Sequence, residues 1–322
     1  MDTSKPIVTR RSIDDVDAMA TAVADGHHAE YVQMERGAFD CRWSVVSTPD
    51  VVLQFAHEGI AIARRLRIAE NRWAIVVPLS VPDTARCDAR PVKRDEMIVC
   101  GPTAECYAFD PGGTSFVLIS MPAHSATAAV VQDVLHDGAA TKTMRPSARD
   151  ARTLQHRLRA IAESVERAGV VDGPQLVAGI DGAMAECLMG AVPSDWHTKE
   201  RLRSSQIVRC AEAFFRQHVD ESITIAQLSS IAGVSERGLR NAFYDVYQTS
   251  PKRYLRQWRL HRVRHVLRAT RSSVESVTAV ATRHGLYELG RFAVEYRELF
   301  GEPPSHTLYR ARSQQAAPAY VA

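Results

Sequence analysis

Several features that define common protein classes are missing from this 322-residue chain. No run of eighteen apolar residues is present, and the N-terminal stretch MDTSKPIVTRRSIDD lacks the apolar core of a secretion signal. The six cysteines are scattered and form no Cys-x-x-Cys pair, which favours ordinary core or surface residues over metal ligands or disulfides. We therefore expect a cytosolic (cytoplasmic) protein with no membrane segment.

Motifs for catalysis are also missing. Metal-binding barrels usually carry a His-x-His pair, a following Glu and a distant His, whereas here His27-His28 and His57-Glu58 stand apart. No Ser-His-Asp or phosphate-loop motif stands out. A DNA-repair methyltransferase would need a Pro-Cys-His-Arg setting and clustered zinc cysteines, and the chain has neither. The sequence predicts no catalytic residues, no metal and no cofactor, and hence no enzyme.

What the chain does have is an uneven distribution of charge. The net charge is +3, but residues 200–312 contain 19 Lys and Arg against 11 Asp and Glu, which makes that segment +8 and the remainder −5. A basic segment on a chain that is otherwise acidic favours a polyanionic partner for that segment alone.

The front half has the pattern of an antiparallel β-domain. Between about residues 31 and 121, apolar runs such as VVLQFAH, WAIVVPL, EMIVC and SFVLISM are separated by turn signals such as TPD, HEG, VPD and DPGG. Short strands at intervals of roughly 8–12 residues are typical of sandwiches and barrels. We predict a β-barrel or jelly-roll (cupin-like) domain over residues 1–140.

Residues 141–195 change to a helical pattern. An apolar stripe recurs at helical spacing along SARDARTLQHRLRAIAESVERAG. Its members are Leu154, Leu158, Ile161 and Val165. This stripe can pack against either of two partners: the chain's own barrel, or the same helix of a second copy in a homodimer. We assign 141–195 as a helical linker or dimerisation segment and 196–322 as a separate basic domain.

A unit in the basic domain occurs twice, as LSSIAGVSERGLRNAFYDVYQTSP and VATRHGLYELGRFAVEYRELFGEPP. Each copy has an aliphatic residue, a glycine, a large apolar residue, two aromatics and a proline, and the copies are offset by 52 to 53 residues. The matching residues are Leu228, Gly233, Leu239, Phe243, Tyr247 and Pro251 in the first copy, and Val280, Gly285, Phe292, Tyr296, Phe300 and Pro304 in the second.

Local signals in the repeat indicate two helix-turn-helix units, at about 224–250 and 273–303. A glycine between two apolar-periodic segments permits the sharp turn between helices. Thr224 with Gln227, and Ser272 with Glu275, have the spacing of capping boxes, and Ser235 is a natural N-cap. A helix of roughly 18 residues between the units would span about 27 Å, which could place two recognition helices in successive major grooves.

This basic domain resembles the AraC/XylS family of bacterial transcription regulators over about residues 207–310. The segment GRFAVEYRELFGEPPS is similar to the second-unit signature of that family. The resemblance implies an α+β two-domain protein: an effector-binding barrel, and an all-α domain with two helix-turn-helix units joined by a long helix. It also implies double-stranded DNA as a partner.

The exposed side of each second helix supplies the candidate base contacts. In the first unit these are Arg237, Arg240 and Asn241, because arginine can pair bidentately with guanine and asparagine with adenine. In the second unit the matching positions are Leu289, Gly290, Ala293 and Val294, none of which has a hydrogen-bonding side chain. We expect the first unit to dominate base discrimination and the second to sense shape or thymine methyl groups.

Candidate contacts to the DNA backbone are Ser235, Lys252, Arg253 and Arg291. The linking helix is rich in arginine, and we expect some of these side chains to pair with acids within the domain while others contact phosphates.

An effector site in the barrel would need a cavity with a few polar anchors. Candidate pocket residues lie in the strand-like runs: Trp43, Phe55, His57, Arg65, Trp73 and Phe109.

The sequence thus predicts a sequence-specific transcription regulator that is controlled by a small-molecule effector and acts as a homodimer, with RNA polymerase as a further partner if it is an activator. The alternative is a constitutive DNA-binding protein that senses no ligand.

Overall fold

The computed structural model describes residues 6–23, 26–48, 51–124, 126–134, 140–169, 174–194, 199–219, 221–270 and 275–316. The chain divides into two compact units. The N-terminal unit consists of Met1–Tyr31 and Asp40–Thr198, and the C-terminal unit of Val32–Phe39 and Lys199–Ala322.

Within the described residues, antiparallel strands and four helices make up the N-terminal unit, except that the last two residues of the second strand, Val32 and Gln33, belong to the C-terminal unit. The strands are β1 (Ile7–Ile13), β2 (His28–Gln33), β3 (Cys41–Ser47), β4 (Val52–Glu58), β5 (Ile62–Arg67), β6 (Arg72–Ser80), β7 (Arg86–Cys87), β8 (Arg90–Pro91), β9 (Met97–Cys100), β10 (Glu105–Asp110), β11 (Thr114–Pro122), β12 (Thr141–Arg145) and β13 (Val192–Pro193). The helices are α1 (Val16–Ala22), α2 (Ala126–Val134), α3 (Ala148–Ala168) and α4 (Pro174–Met189).

The described strands form two open sheets. One has eight strands in the order β1-β3-β4-β11-β6-β9-β12-β13, and the other has five in the order β2-β5-β10-β7-β8. Side chains of the two sheets meet, since Arg64 of β5 donates a 3.1 Å hydrogen bond to Glu58 of β4. The expected α+β architecture is confirmed, and of the two forms that we predicted for the N-terminal domain, the two-sheet jelly roll fits better than a closed barrel.

The central strands of the larger sheet are buried on both faces, which explains why their sequences are nearly continuous apolar runs. One face looks toward the smaller sheet. The other packs against α3 and α4: Phe55 of β4, Val77 of β6 and Val117 of β11 share one core cluster with Leu158 and Met184 of these helices.

The apolar stripe of α3 is covered by its own chain. Leu154, Leu158, Ile161 and Val165 are at most 1% exposed and belong to the core beneath the eight-stranded sheet. A dimer role for these four side chains is therefore wrong, because side chains already buried within one chain cannot contact a second. Residues 141–195 likewise belong to the N-terminal unit and do not form a separate linker.

Seven helices make up most of the part of the C-terminal unit that the structure describes. They are α5 (Lys199–Gln217), α6 (Ile225–Ile231), α7 (Glu236–Tyr247), α8 (Pro251–Ala269), α9 (Val277–Arg283), α10 (Leu289–Phe300) and α11 (Pro304–Ala316). Helices α6 and α7 form the first helix-turn-helix unit, α9 and α10 form the second, and α8 links them.

The local signals in the repeat have the expected structural roles. Gly233 and Gly285 adopt φ values of 64° and 72°, in the left-handed region that favours glycine. The side chains of Thr224 and Gln227 form the predicted capping box of α6. In the second unit the N-cap is Ser276, and the predicted cap Ser272 lies outside the described residues.

A short segment far from the basic domain in sequence belongs to the C-terminal unit. Val32–Phe39 contains Gln33, which is fully buried and whose side-chain amide donates to the carbonyl oxygens of Glu35, Gly37 and Leu299 at 2.8–2.9 Å. The backbone N–H of Gln33 donates to His261 Nε2 at 2.8 Å. No pattern in the sequence predicts that this segment belongs to the C-terminal unit.

Five cysteines are buried and Cys210 is exposed. The two that lie close in sequence, Cys100 and Cys106, have their sulfur atoms 3.6 Å apart. Among the described helices, none combines the length and the apolar character needed to cross a membrane.

Candidate functional site

Helix α7 presents a polar face opposite a fully buried one. Leu239 and Phe243 are 0% exposed and form the buried side, whereas Arg237, Arg240 and Asn241 are exposed. The helix begins after Ser235, whose hydroxyl accepts a 3.1 Å hydrogen bond from the backbone N–H of Gly238. The exposed face thus carries guanidinium and amide groups that can reach base edges in a major groove.

Helix α10 has the same geometry with different chemistry. Phe292 and Tyr296 are buried, and four exposed positions of the helix are apolar or lack a side chain. These positions are Leu289, Gly290, Ala293 and Val294. An added Cβ at Gly290 would meet no atom within 4 Å, so this face is open. It can make van der Waals contacts but no side-chain hydrogen bonds.

A buried carboxylate anchors the first unit. Glu212 of α5 accepts hydrogen bonds from the hydroxyls of Tyr247 and Tyr254, at 2.7 and 2.6 Å, and pairs with Arg216. Burial, together with the neighbouring negative charge of Glu212, raises the pKa of each tyrosine well above its usual range, so both remain donors. This network joins α5, α7 and α8 and fixes the orientation of α7.

The second unit is anchored by a partly exposed carboxylate. Glu302 accepts from the Thr307 hydroxyl at 2.7 Å, and it lies 2.9 Å from His306. Burial alone would raise the pKa of Glu302, but these hydrogen bonds lower it, so the group is held as a carboxylate. Tyr296 of α10 donates to the same threonine at 2.9 Å, which ties α10 to α11.

A basic groove brings the remaining candidate backbone contacts together. Its volume is about 480 Å³, and its walls include five basic and two acidic side chains. The basic residues are Arg36, Lys252, Arg253, Arg256 and Arg291, and the acids are Glu295 and Glu298. Such an excess of positive charge beside a helix-turn-helix unit suits a phosphate backbone.

Three arginines of this groove already have carboxylate partners, and one of them is Arg36, which lies 3.1 Å from Glu298. Arg291 lies 2.8 Å from Glu295 and 3.5 Å from Glu288. Arg256 also pairs with Glu295, which confirms the expectation that some arginines of the linking helix would be neutralised within the domain. Lys252 and Arg253 are exposed, although Arg253 donates one 3.1 Å bond to the carbonyl of Met34.

The N-terminal unit contains an open groove between α3 and the eight-stranded sheet. Three of the predicted pocket residues, Trp43, Phe55 and His57, line this groove of about 480 Å³. Its wall also includes Arg42 and, from α3, Glu166.

The other three predicted pocket residues lie elsewhere. Arg65 is paired with Glu30 at 3.3 Å and Glu105 at 2.6 Å. Trp73 is in the core beneath α3 and α4, and Phe109 is half-buried on β10, opposite Arg86 of β7.

The space between the two sheets is nearly filled. Its cavity has a volume of about 30 Å³ and is bordered by Arg64, Asp110 and mostly apolar side chains. Burial and the adjacent Asp110 raise the pKa of Glu58, and burial also raises that of Asp110. Both carboxyl groups pair with Arg64, at 3.1 and 2.6 Å.

Comparison with known proteins places the C-terminal unit in a family. A family model described as a helix-turn-helix domain matches residues 228–310. The chain is 34% identical over 148 residues to the Probable thc operon regulatory protein of Rhodococcus erythropolis, covering 43% of this chain and 45% of that one. It is 40% identical over 95 residues to the XylDLEGF operon transcriptional activator 2 of Pseudomonas putida, covering 30% and 60%. The chain belongs to the AraC/XylS family.

The chain spans about half of the length of these two relatives. A solved structure of a probable AraC family transcriptional regulator from Rhodopseudomonas palustris shares 37% identity over 33% of this chain and 97% of its own, with a TM-score of 0.31. The matched residues 228–310 run from α6 into α11, and therefore contain both helix-turn-helix units and the linking helix of this AraC/XylS chain.

The exposed polar face of α7 in this AraC/XylS chain includes one residue that is not among the predicted base contacts. Tyr244 of α7 is 59% exposed. It follows Arg240 by four positions and Asn241 by three, so it extends the same face by one turn. The three- and four-residue spacing from Arg240 and Asn241 is the signal in the sequence that identifies this position.

Proposed function

We propose that this chain is a sequence-specific DNA-binding transcription regulator. The observation that carries the proposal is the exposed trio Arg237, Arg240 and Asn241 on α7, within the region that matches a helix-turn-helix family. Arginine and asparagine are the residues that recognise guanine and adenine most directly in the major groove. The opposite face of α7 is fully buried, so this trio is the face available to DNA.

The two units divide the work of recognition. Helix α7 supplies hydrogen bonds to base edges, whereas Leu289, Ala293 and Val294 of α10 can contact thymine methyl groups or follow groove shape. The base contacts proposed for the second unit thus add little hydrogen-bonded discrimination.

Contacts to phosphates set the affinity and the register. Lys252 and Arg253 are exposed in the first turn of α8, and Ser235 is exposed at the start of α7. Arg291 would have to exchange its carboxylate partners for a phosphate. If the three basic side chains, Lys252, Arg253 and Arg291, each neutralise one phosphate, the slope of log affinity against log salt concentration is about −2.7.

The proposed regulator is a cytoplasmic homodimer that responds to a small-molecule effector, and RNA polymerase is a further partner if it activates transcription. Ligand binding to the N-terminal unit would shift the population that can occupy paired half-sites. In a dimer, binding of one basic domain raises the effective concentration of the other. The alternative, a constitutive DNA-binding protein, is less well supported because the N-terminal unit has a groove large enough for a ligand.

The proposal is tested with the full chain and fluorescent duplexes selected from a random pool. We expect a selected duplex to bind at least about a thousandfold more tightly than unrelated sequence at the same salt concentration. The double variant Arg237→Ala/Arg240→Ala should remove most of this difference. Arg67→Gln, an exposed arginine of the N-terminal unit, is the matched control. Equal affinity for selected and unrelated duplexes would rule out sequence-specific regulation.

A further inference from the structure

The groove between α3 and the eight-stranded sheet has the size of a ligand site. Pockets for small molecules usually have volumes of about 300–1,000 Å³. The groove, at about 480 Å³, lies in this range, whereas the cavity between the two sheets, at about 30 Å³, has room for a water molecule only. A ligand of ten or more heavy atoms therefore fits the groove and not the interior.

Strand pairing places a set of polar groups on one face of the groove. Ser12 of β1 is directly opposite Arg42 of β3, Arg42 is opposite His57 of β4, and His57 is opposite Ser115 of β11. Residues directly opposite each other project from the same face of a sheet. The four side chains thus form a polar row across four adjacent strands.

An apolar surface lies next to this row. Phe55 is two residues before His57 on the same strand and therefore on the same face. Leu79 of β6 and Ala162 of α3 line the groove beside it. A ligand lying across both surfaces would have an apolar body and one polar end.

The charges indicate the sign of that polar end. Arg10 is already used, because its guanidinium donates to the carbonyls of Val165 and Glu166 at 3.0 and 2.8 Å and so caps α3. Within the described part of the chain, Arg42 has a single carboxylate neighbour, Glu166, at 3.5 Å, and both side chains are more than half exposed. Such a pair contributes little and can exchange readily for a ligand carboxylate.

The remaining polar groups favour an anion. His57 Nδ1 lies 2.8 Å from the Ser115 hydroxyl, and among the described residues its Nε2 has no partner. A carboxylate accepts hydrogen bonds from arginine, imidazole N–H and hydroxyl groups, all of which this row supplies.

We propose that an organic carboxylate with an apolar body binds in this groove, with its carboxylate at Arg42 and His57 and its body on Phe55, Leu79 and Ala162. The ligand displaces Glu166 from Arg42. The role of this carboxylate as the effector rests on the proposed function. Its binding in the groove does not depend on that function.

The test is calorimetric titration of the full chain with 3-phenylpropanoate and with its neutral amide, 3-phenylpropanamide. We expect saturable binding of the acid and at least about tenfold weaker binding of the amide, because the amide lacks the charge for Arg42. Arg42→Gln should weaken acid binding at least about tenfold. Ala162→Phe should block it by filling the groove. Arg67→Gln should bind as the unaltered chain does, and circular dichroism should show that every variant is folded.

Equal binding of acid and amide, or unchanged binding to Arg42→Gln, would overturn the proposal. So would the absence of saturable binding at about 5 mM acid, a concentration at which even weak ligands are detected. DNA affinity is measured separately, with and without the acid. If the acid binds but DNA affinity is unchanged, the carboxylate site stands and its role as effector site is wrong.

Discussion

Arg240 is the residue whose loss we expect to affect base recognition most directly. It is exposed on α7 between Arg237 and Asn241, and a bidentate pair with guanine contributes about 1–3 kcal/mol of discrimination. Arg240→Ala should therefore relax base preference at one position of the selected site. Competition binding against duplexes changed at single positions measures this. Val294→Ala removes only methyl contacts and should relax preference less; the reverse order would contradict the assignment of α7 as the main reading helix.

The buried acid pair of the N-terminal unit makes stability depend on pH. The folded-state pKa of Glu58 is raised above its ordinary value by burial and by Asp110. Its contribution to stability is therefore fully present below the unfolded pKa, about 4.5, and is lost as pH rises through the folded pKa. Each unit by which the pKa of Glu58 differs between the folded and unfolded states changes the free energy of unfolding by up to about 1.4 kcal/mol.

Glu58→Gln should flatten this dependence, because glutamine has no proton to lose. Urea denaturation between about pH 4.5 and pH 8 gives the slope of the free energy of unfolding against pH. Glu163→Gln, an exposed acid on α3, should leave the slope as it is in the unaltered chain. A slope that Glu58→Gln does not change would show that the pair does not titrate in this range.

For single residues, the sequence predicted exposure best where helical spacing separates the buried face of a helix from its exposed face. The positions of Arg237, Arg240 and Asn241 followed from a 3.6-residue period around Leu239 and Phe243. The pairing of Arg65 with Glu30 and Glu105 did not, because those partners come from other strands of the sheet. The ligand and DNA roles of these side chains stay predictions.

At the scale of elements, helix α10 carries a glycine where most helices would not. Gly290 lies in its first turn with open space around it. Gly290→Ala should stabilise the C-terminal unit by up to about 1 kcal/mol through helix propensity. It should also change DNA affinity, because the added methyl projects from the face proposed to enter the groove. Thermal unfolding and anisotropy titration measure the two effects.

A matched variant separates these effects. Gly182 lies in α4 of the N-terminal unit and has equally open space for a Cβ. Gly182→Ala should stabilise its own unit and leave DNA affinity the same. If Gly290→Ala also leaves affinity the same, the first turn of α10 does not contact DNA.

The repeat made the helices of the C-terminal unit predictable, since two copies of one pattern constrain each other. Helix α3 was less so: its stripe at Leu154, Leu158, Ile161 and Val165 specifies burial but not the covering partner. In the structure that partner is the outer face of the eight-stranded sheet. Helix α9 begins later than predicted, because its N-cap is Ser276, four residues after the predicted cap Ser272, and both are serines.

At the scale of the whole molecule, each unit is built from separated stretches of chain. Gln33 lies in Val32–Phe39, yet its amide bonds to Leu299 of the C-terminal unit. No periodicity reveals such a contact, because a buried glutamine in a strand resembles any other polar residue. The boundary predicted at residue 196 consequently omits part of the C-terminal unit.

Gln33→Ala should destabilise the C-terminal unit by about 1–3 kcal/mol, because it removes buried hydrogen bonds and leaves carbonyl groups unpaired. Hydrogen exchange of the α10 amides in the full chain measures the loss locally. Ala38→Ser, at an exposed position of the same segment, is the control and should leave exchange unchanged. Equal protection in Gln33→Ala would mean that the segment does not support α10.

Selection of duplexes by the full chain from a random pool, repeated with Arg240→Ala, shows whether α7 carries most of the base recognition. We expect a site with one strongly specified block, containing guanine and adenine, and a weakly specified block about one helical turn away. Arg240→Ala should weaken only the strong block. Two equally specified blocks, or no enrichment at all, would contradict this expectation.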